Sequence, residues 1–234
     1  MREATEKRMS RRTYTKEDLT GTEVGNVKRL ISEVNAESGL TIEYIEDASE
    51  AFSSIGKTYG MFKNVRTVLL MKGRADDRDL REKVGFYGER IVLDLVDMGL
   101  GTCWVAGTFD KSTFTQGESE QMVCVITVGH IEAPTFKDRL ILSRLHDRRK
   151  PMNERISYEG ELPEDIESGI RSVILAPSAV NSQKPHFEYK NGELTVSVPD
   201  EHSVDLVDLG IAKYHFVSEA GGSFPFGNGA KWEK

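Results

Sequence analysis

The stretch Ala176–Tyr189 reads APSAVNSQKPHFEY, and how it is read decides how the chain is put together. An apolar run at helical spacing, IRSVIL (170–175), stops in front of it. Pro177 lacks a backbone donor and blocks a further helical turn, so a helix must end there. Phe187 to Val198 then alternates as a hairpin, with Asn191-Gly192 as the turn dipeptide that best tolerates positive φ. Between helix and hairpin lie Ser178, Asn181 and Gln183, polar side chains suited to a ligand as well as to a turn. A plain helix-ending turn accounts for Pro177 and Ser178, but not for the Asn-x-Gln spacing.

Working outward, Leu162-Pro163-Glu164-Asp165 starts the helix before this loop, with Ile166, Ile170, Val173 and Ile174 on one face. A last helix is expected over about Val204 to Ala220, closed by Gly221-Gly222. The first half carries a similar order. Thr15-Lys16-Glu17-Asp18 has the form of a capping box and predicts a helix from about Lys16 to Val34, with Gly21 and Gly25 as candidate breaks. Thr41–Ile45 alternates like a short strand, and Arg66–Met71 and Val123–Val128 read as buried strands. Between them, Val84, Tyr87, Ile91, Leu95 and Met98 define a helix over Lys83–Met98, stopped by Gly99 and Gly101. The charged segment from 129 to 161 reads as a crossing rather than a core element.

The halves match in order and in part in sequence. Glu17-Asp18-Leu19 parallels Glu164-Asp165-Ile166, and Val27, Leu30, Ile31 has the spacing of Ile170, Val173, Ile174. The register is ambiguous: DLVDMG (94–99) resembles DLVDLG (205–210), whereas matching helix ends pairs Gly99 with Gly221. Neither half has enough strands to close a core alone, so the expected fold is one internally duplicated α+β unit. Its first half covers about 10–130, its crossing segment about 130–161 and its second half about 162–234.

The composition of the 234 residues, 38% hydrophobic and 29% charged, is that of a globular protein. A net charge of -7 argues against nucleic acid or an anionic membrane as partner. Cys103 and Cys124, at no metal-like or redox-like spacing, argue against structural disulfides. No run approaches a membrane span, and MREATEKRMSRR (1–12) has no apolar export core, so a cytoplasmic protein is expected. An anionic small molecule would need local cations, and Arg11-Arg12 and Arg148-Arg149-Lys150 are the candidates.

Three segments together resemble the FMN-dependent nitroreductase family: Arg11-Arg12-Thr13, GLGTCWVAG (99–107) and APSAVNSQKPHF (176–187), with RRKPMNE (148–154) similar to a basic stretch of that family. In ordinary members the Pro-Ser loop closely follows the arginines, and the flavin lies at a homodimer interface. Here the loop comes late in the chain, as in a subgroup where one chain mimics the dimer. The first half offers only NAESGL (35–40) in its place, and the second half only GGSFPFG (221–227) for GLGTCW. The resemblance therefore implies one flavin site per chain, one eroded site and a monomer.

It also implies roles. Arg11 is the main phosphate cation, with Arg12 or Thr13 assisting and Arg149 as a second cation. Pro177, Ser178, Ala179 and Asn181 meet the ribityl chain and the pyrimidine edge, while Gln183 either contacts the flavin or fixes the loop. Trp104, Val105, Ala106 and Gly107 run under the isoalloxazine ring, where a backbone N–H donates to the position that gains negative charge. Cys103 reads as a small hydrophobe, and no side chain is assigned a catalytic role or a metal. Two departures stand out: Thr15 replaces a basic residue of the arginine motif, and Lys184-Pro185 replaces Pro-Trp after Gln183. The expected activity is NADH- or NADPH-driven reduction of a small electron-poor acceptor, with a non-catalytic flavin sensor or carrier as the alternative.

Overall fold

A computed structural model describes residues 2–132, 148–201 and 204–234, and these divide into two compact units. The first unit holds Lys7–Leu80 and Ile91–Glu132; the second holds Arg81–Arg90, most of the chain from 148 onward and the N-terminal residues up to Glu6, including most of the short helix α1 (Glu3–Lys7). The part of the expected crossing segment from 133 to 147 lies outside the described residues. No described helix is long and apolar enough to cross a membrane.

In the first unit, α2 (Gly21–Ser38) is followed by β1 (Glu43–Ile45), a short α3 (Ile55–Thr58), β2 (Thr67–Arg74), the later part of α4 (Leu80–Asp97), β3 (Gly101–Val105) and β4 (Glu120–Gly129). The strands form an antiparallel sheet in the order β1-β2-β4-β3. Residues 67–71 of β2 and 123–128 of β4 are buried throughout, as largely apolar runs require. Val68, Leu70, Val105 and Val125 pack with Phe52, Phe109 and Tyr14 in the core.

The helix start corrects the expectation. The capping box is Thr20-Gly21-Thr22-Glu23, not Thr15-Lys16-Glu17-Asp18: Thr20 Oγ1 accepts from Glu23 N, and Glu23 Oε2 accepts from Thr20 N at 2.7 Å. Both stretches fit the pattern, but Thr15 is drawn off by its backbone bond to the His130 carbonyl at 2.9 Å. Gly21 is then the first helical residue rather than a break. The helix ends at Gly39, which adopts φ 73.

In the second unit, α5 (Met152–Arg155) leads into β5 (Ile156–Tyr158), α6 (Glu164–Leu175), the hairpin β6 (His186–Lys190) and β7 (Glu193–Ser197), α7 (Asp205–Ala220) and β8 (Ala230–Lys231). The sheet order is β5-β6-β7-β8, with β5 parallel to β6 and the other pairs antiparallel. The segment expected only to cross the surface thus contributes an edge strand, and Ile156 is buried in the core with Ile170, Val196 and Phe216. Phe187 and Phe216 stack at 5.4 Å between ring centres. Asn191 and Gly192 have φ 53 and 79, the turn expected of that dipeptide.

Helix, strand pair, long helix and returning strand recur in both units. Gly99 and Gly221 follow the long helices with φ 82 and 75. Two residues further on, Gly101 pairs with Gly129 and Ser223 bridges Glu233, both antiparallel. Matched by their helix ends, the two units share this order. DLVDMG closes α4 while DLVDLG opens α7, so their likeness is not one of position.

Candidate functional site

The arginine segment is pinned to the first unit along its backbone. Ser10 bridges Thr102 of β3, and Arg11 N donates to the Thr102 carbonyl at 2.8 Å. Lys63 N donates to the Arg12 carbonyl at 2.9 Å, and Tyr14 N to that of Lys63 at 3.1 Å. Tyr14 locks the segment from beneath: its hydroxyl donates to the Arg11 carbonyl at 2.7 Å and lies 2.6 Å from Thr127 Oγ1. Burial drives that phenol above its ordinary value, so it stays a neutral donor.

The glycine of GLGT makes this possible. A Cβ on Gly101 would lie 2.2 Å from Ile131 Cγ2 and 3.1 Å from Arg11 Cγ, so Ile131 fills the space a side chain would take and the arginine stem packs tightly beside it. Arg11 is half-buried and Arg12 exposed. Among the described residues neither guanidinium has a carboxylate partner, unlike Arg66, which meets Asp18 at 2.6 Å. A solvated tail does not describe this segment. Thr13, exposed, bridges Lys63.

Trp104 and Val105 end β3, an edge strand, with Trp104 half-buried opposite Ile126 and Val105 buried. Ala106 and Gly107 follow, exposed. Cys103 is 3% exposed, and burial pushes its thiol up, which keeps it protonated and unreactive.

The Pro-Ser loop is built within the second unit. Ala176 leaves the helical region with ψ 141, Pro177 prevents resumption, and a single tight turn covers Ala179–Asn181. Val180, Asn181 and Gln183 have φ 47, 57 and 50, left-handed values that side-chained residues seldom adopt. Gln183, 5% exposed, is the anchor. Its side-chain oxygen accepts from Lys150 N at 2.9 Å and its amide nitrogen donates to the Arg148 carbonyl at 3.0 Å. This bracket fixes Arg149 beside the loop. Gln183 N also donates to Ser178 Oγ at 2.9 Å. Both ends of the amide bond to backbone, so Gln183 fixes the loop. The Asn181 side chain, by contrast, is exposed and makes no hydrogen bond among the described residues.

Lys184 now has an explanation. Its ammonium donates to both carboxylate oxygens of buried Asp205, at 2.8 and 2.9 Å, tying the loop to the first turn of α7. One turn on, Asp208 accepts from Ala179 N at 2.9 and 3.1 Å, and the buried Arg155 donates from Nη1 to the Gln183 carbonyl at 2.6 Å. Sequence reasoning missed Arg155 and Asp208. The available signal was the pair Asp205 and Asp208, two acids a helical turn apart in the otherwise apolar first two turns of α7.

Burial, with Asp205 adding to it, raises the Asp208 carboxyl to about 6. The folded chain thus binds more protons there than the unfolded one between about pH 4 and 6. Stability from this group falls as pH rises through that window, and the burden is fully present above it. A shift of about two units corresponds to about 3 kcal/mol. Asp208→Asn should therefore gain about 2 kcal/mol relative to wild type on going from pH 4.5 to 7.5, the part of that shift that lies above pH 4.5. Urea unfolding of both proteins at the two pH values checks this; a pH-independent difference would contradict it.

Arg11, Arg12, Thr13 and Trp104–Gly107 thus belong to the first unit, and Arg149 and Pro177–Gln183 to the second. Within the second unit Gln183 joins the 148–150 backbone to the Pro-Ser loop, and within the first Arg11 bonds to Thr102, two residues before Trp104. An open cleft of about 430 Å³ in the first unit, lined by Lys111, Phe114, Gln121 and Met122 among others, involves none of them.

Comparison with known proteins follows the same lines. The family described as "Putative TM nitroreductase" matches residues 1–220. A crystal structure of "a putative nitroreductase" from Thermotoga maritima superposes with a TM-score of 0.64 at 22% identity, covering 98% of this chain and 90% of that one. A nitroreductase family protein from Clostridium difficile 630 gives a TM-score of 0.50 at 17% identity, with 99% of its length spanning 69% of this chain. At these identities the likeness shows the fold: mixed helices and sheets of the nitroreductase type. A search of curated proteins gives no match. The family match over nearly the whole chain decides the assignment: this chain belongs to the family described as "Putative TM nitroreductase".

Proposed function

We propose that the chain is an FMN-dependent oxidoreductase. The observation that carries this reading is the Pro-Ser loop, held in left-handed turns by Gln183 so that the Asn181 amide is presented outward. The donor set also suits the group: an exposed amide for a polar ring edge, and two guanidiniums that meet no carboxylate among the described residues for a phosphate. Bound FMN would take two electrons from NADH or NADPH and pass them, in ping-pong order, to a small electron-poor acceptor such as a nitroaromatic or quinone.

The chain's own residues bind and orient. Arg11 neutralises the phosphate, with Arg12 and Thr13 beside it and Arg149 as a further cation. Asn181, Ser178 and the backbone of Pro177 and Ala179 hold the polar chain and ring edge, and Trp104–Gly107 supports the ring face. The recurrence of element order in the two units supports a single chain that stands for the family dimer, hence a monomer in light scattering.

FMN titration of the purified chain tests the reading, which predicts saturable uptake; a colourless protein that takes up none would sink it. Arg11→Ala should weaken FMN by roughly ten- to a hundredfold, because a charge-assisted bond to phosphate is lost. Asn181→Ala should weaken it less, by about three- to tenfold, because that bond is neutral. Quenching of flavin fluorescence measures both, and unchanged affinity in both variants would put the site elsewhere.

A second reading, a flavin sensor or carrier without turnover, is favoured by Thr15. Its side chain accepts from Glu17 N at 3.3 Å, where the family carries a cation that favours the reduced flavin.

A further inference from the structure

We propose that Arg155 and Asp208 are positioning residues that clamp the two ends of the Ala179–Gln183 turn, holding Ser178 and Asn181 ready for a ligand. The identity of that ligand as a flavin rests on the function proposed above; the clamp itself rests on the structure.

Three side-chained residues among four consecutive positions, Val180, Asn181 and Gln183, adopt φ between 47 and 57. Such conformations are disfavoured by contact of Cβ with the backbone and persist only where the surroundings over-determine them. The local sequence cannot do this: the turn contains no glycine, and Val180 is 99% exposed and contributes no packing. The constraint comes from outside. At the start of the turn, Ala179 N–H donates to both oxygens of Asp208, and Ser182 Oγ donates to the same carboxylate at 3.4 Å. At its end, the Gln183 carbonyl accepts from Arg155 Nη1 at 2.6 Å and from Lys150 Nζ at 3.2 Å.

Neither clamp residue is explained by stability. Arg155 is 2% exposed, its Nε has no partner among the described residues, and burial lowers the guanidinium to about 10. A buried cation aimed at one carbonyl, with an orphaned donor, is a poor way to stabilise a fold. Asp208, 3% exposed, is likewise disfavoured as an anion by burial and by Asp205 on its own helix. The charged groups that act on Asp208 in the other sense are Lys184 from the loop and Arg155 from α5. What both residues accomplish is the geometry of the turn. Burial favours the protonated form, but the Ala179 N–H and Ser182 bonds pull the other way and favour the carboxylate, so protonation relieves the burial cost while weakening the clamp itself.

Amide hydrogen exchange on the full chain, with titration of both FMN and riboflavin, tests the clamp. In Asp208→Asn and Arg155→Met at pH 7.5, exchange across 176–184 should accelerate about tenfold or more, as loss of a charged hydrogen bond implies, while the β6–β7 hairpin keeps its wild-type rate. FMN and riboflavin affinities should fall by the same factor, and Arg155→Lys should recover part of both effects. In wild type, loop exchange corrected for intrinsic rate should rise as pH drops from 7.5 to 5, and Asp208→Asn should abolish that dependence. Wild-type loop exchange in both variants would overturn the clamp, and so would acceleration spread over the whole unit. Loss of FMN affinity with riboflavin unaffected would also overturn it, by making Arg155 a phosphate ligand. If wild type binds neither flavin, the functional proposal fails while the exchange rates still decide the clamp.

Discussion

Replacing Lys213 by Met is expected to destabilise the chain by about 3–5 kcal/mol, the usual consequence of stranding one member of a buried ion pair. Lys213 and Glu82 are each 1% exposed and pair with one another in the second unit. The ammonium also donates to the carbonyls of Pro225 at 2.9 Å and Gly227 at 3.0 Å, and Glu82 Oε2 accepts from Gly227 N at 2.8 Å. All three N–H bonds of the lysine are thereby used, and its removal leaves a buried carboxylate with only the Gly227 N–H against its charge and two carbonyls short of a donor. Glu82→Leu should cost a similar amount for the converse reason. The double variant should recover at least half of the summed loss, because no uncompensated charge remains. Urea unfolding of the four proteins measures this; strictly additive losses would mean that the pair is not the source.

Gly210→Ala should lower stability by about 3 kcal/mol or more, through forced separation of two backbones. A Cβ at 210 would lie 2.0 Å from the Glu82 carbonyl oxygen and 2.7 Å from Phe86 N. The reciprocal position is equally tight: a Cβ on Gly85 would meet the Val207 carbonyl at 2.0 Å. No side chain can rotate away from such a contact, so α4 and α7 would have to part. That movement would open the seam holding Glu82 to Lys213 and Glu89 to His215, the latter at 3.0 Å. For a chain of this size the expected fall in Tm is roughly 6–12 °C. Gly25→Ala is the control: nothing lies within 4 Å of that position in α2, and alanine there should be neutral or stabilising by up to about 1 kcal/mol. Equal behaviour of the two variants in thermal melts would contradict the close crossing.

The sequence was most informative where a single physical rule acts locally. Helix α4, the glycine stops at Gly99 and Gly221, the Asn191-Gly192 hairpin and the helix end before Pro177 were all legible, because periodicity, left-handed glycine and the missing proline donor each act over a few residues. The capping box was misread because two Ser/Thr-x-x-acid stretches lie within ten residues, and only the pull of His130 on Thr15 separates them. Strand β5 was missed because three residues are too few to show alternation. Its place is set by parallel pairing with β6 across some thirty positions.

The candidate site divides in the same way. The loop's composition points to the proposed binding role, but not to how its shape is held. Lys184 finds Asp205, Gln183 finds the 148–150 backbone, and Ala179 finds Asp208, all over separations that no local pattern encodes. Of the two roles open to Gln183, ligand contact or loop anchor, those partners account for the anchor. Lys184, unexplained from sequence, is the counter-ion of a buried acid.

The most direct test of the account is anaerobic mixing of the FMN-loaded chain with NADH or NADPH. One flavin per chain, bleached of its yellow absorbance by either nucleotide and restored by a nitroaromatic or quinone, is the result it predicts. Bound flavin that keeps its colour with both nucleotides would contradict an oxidoreductase and leave a flavin-binding protein in its place.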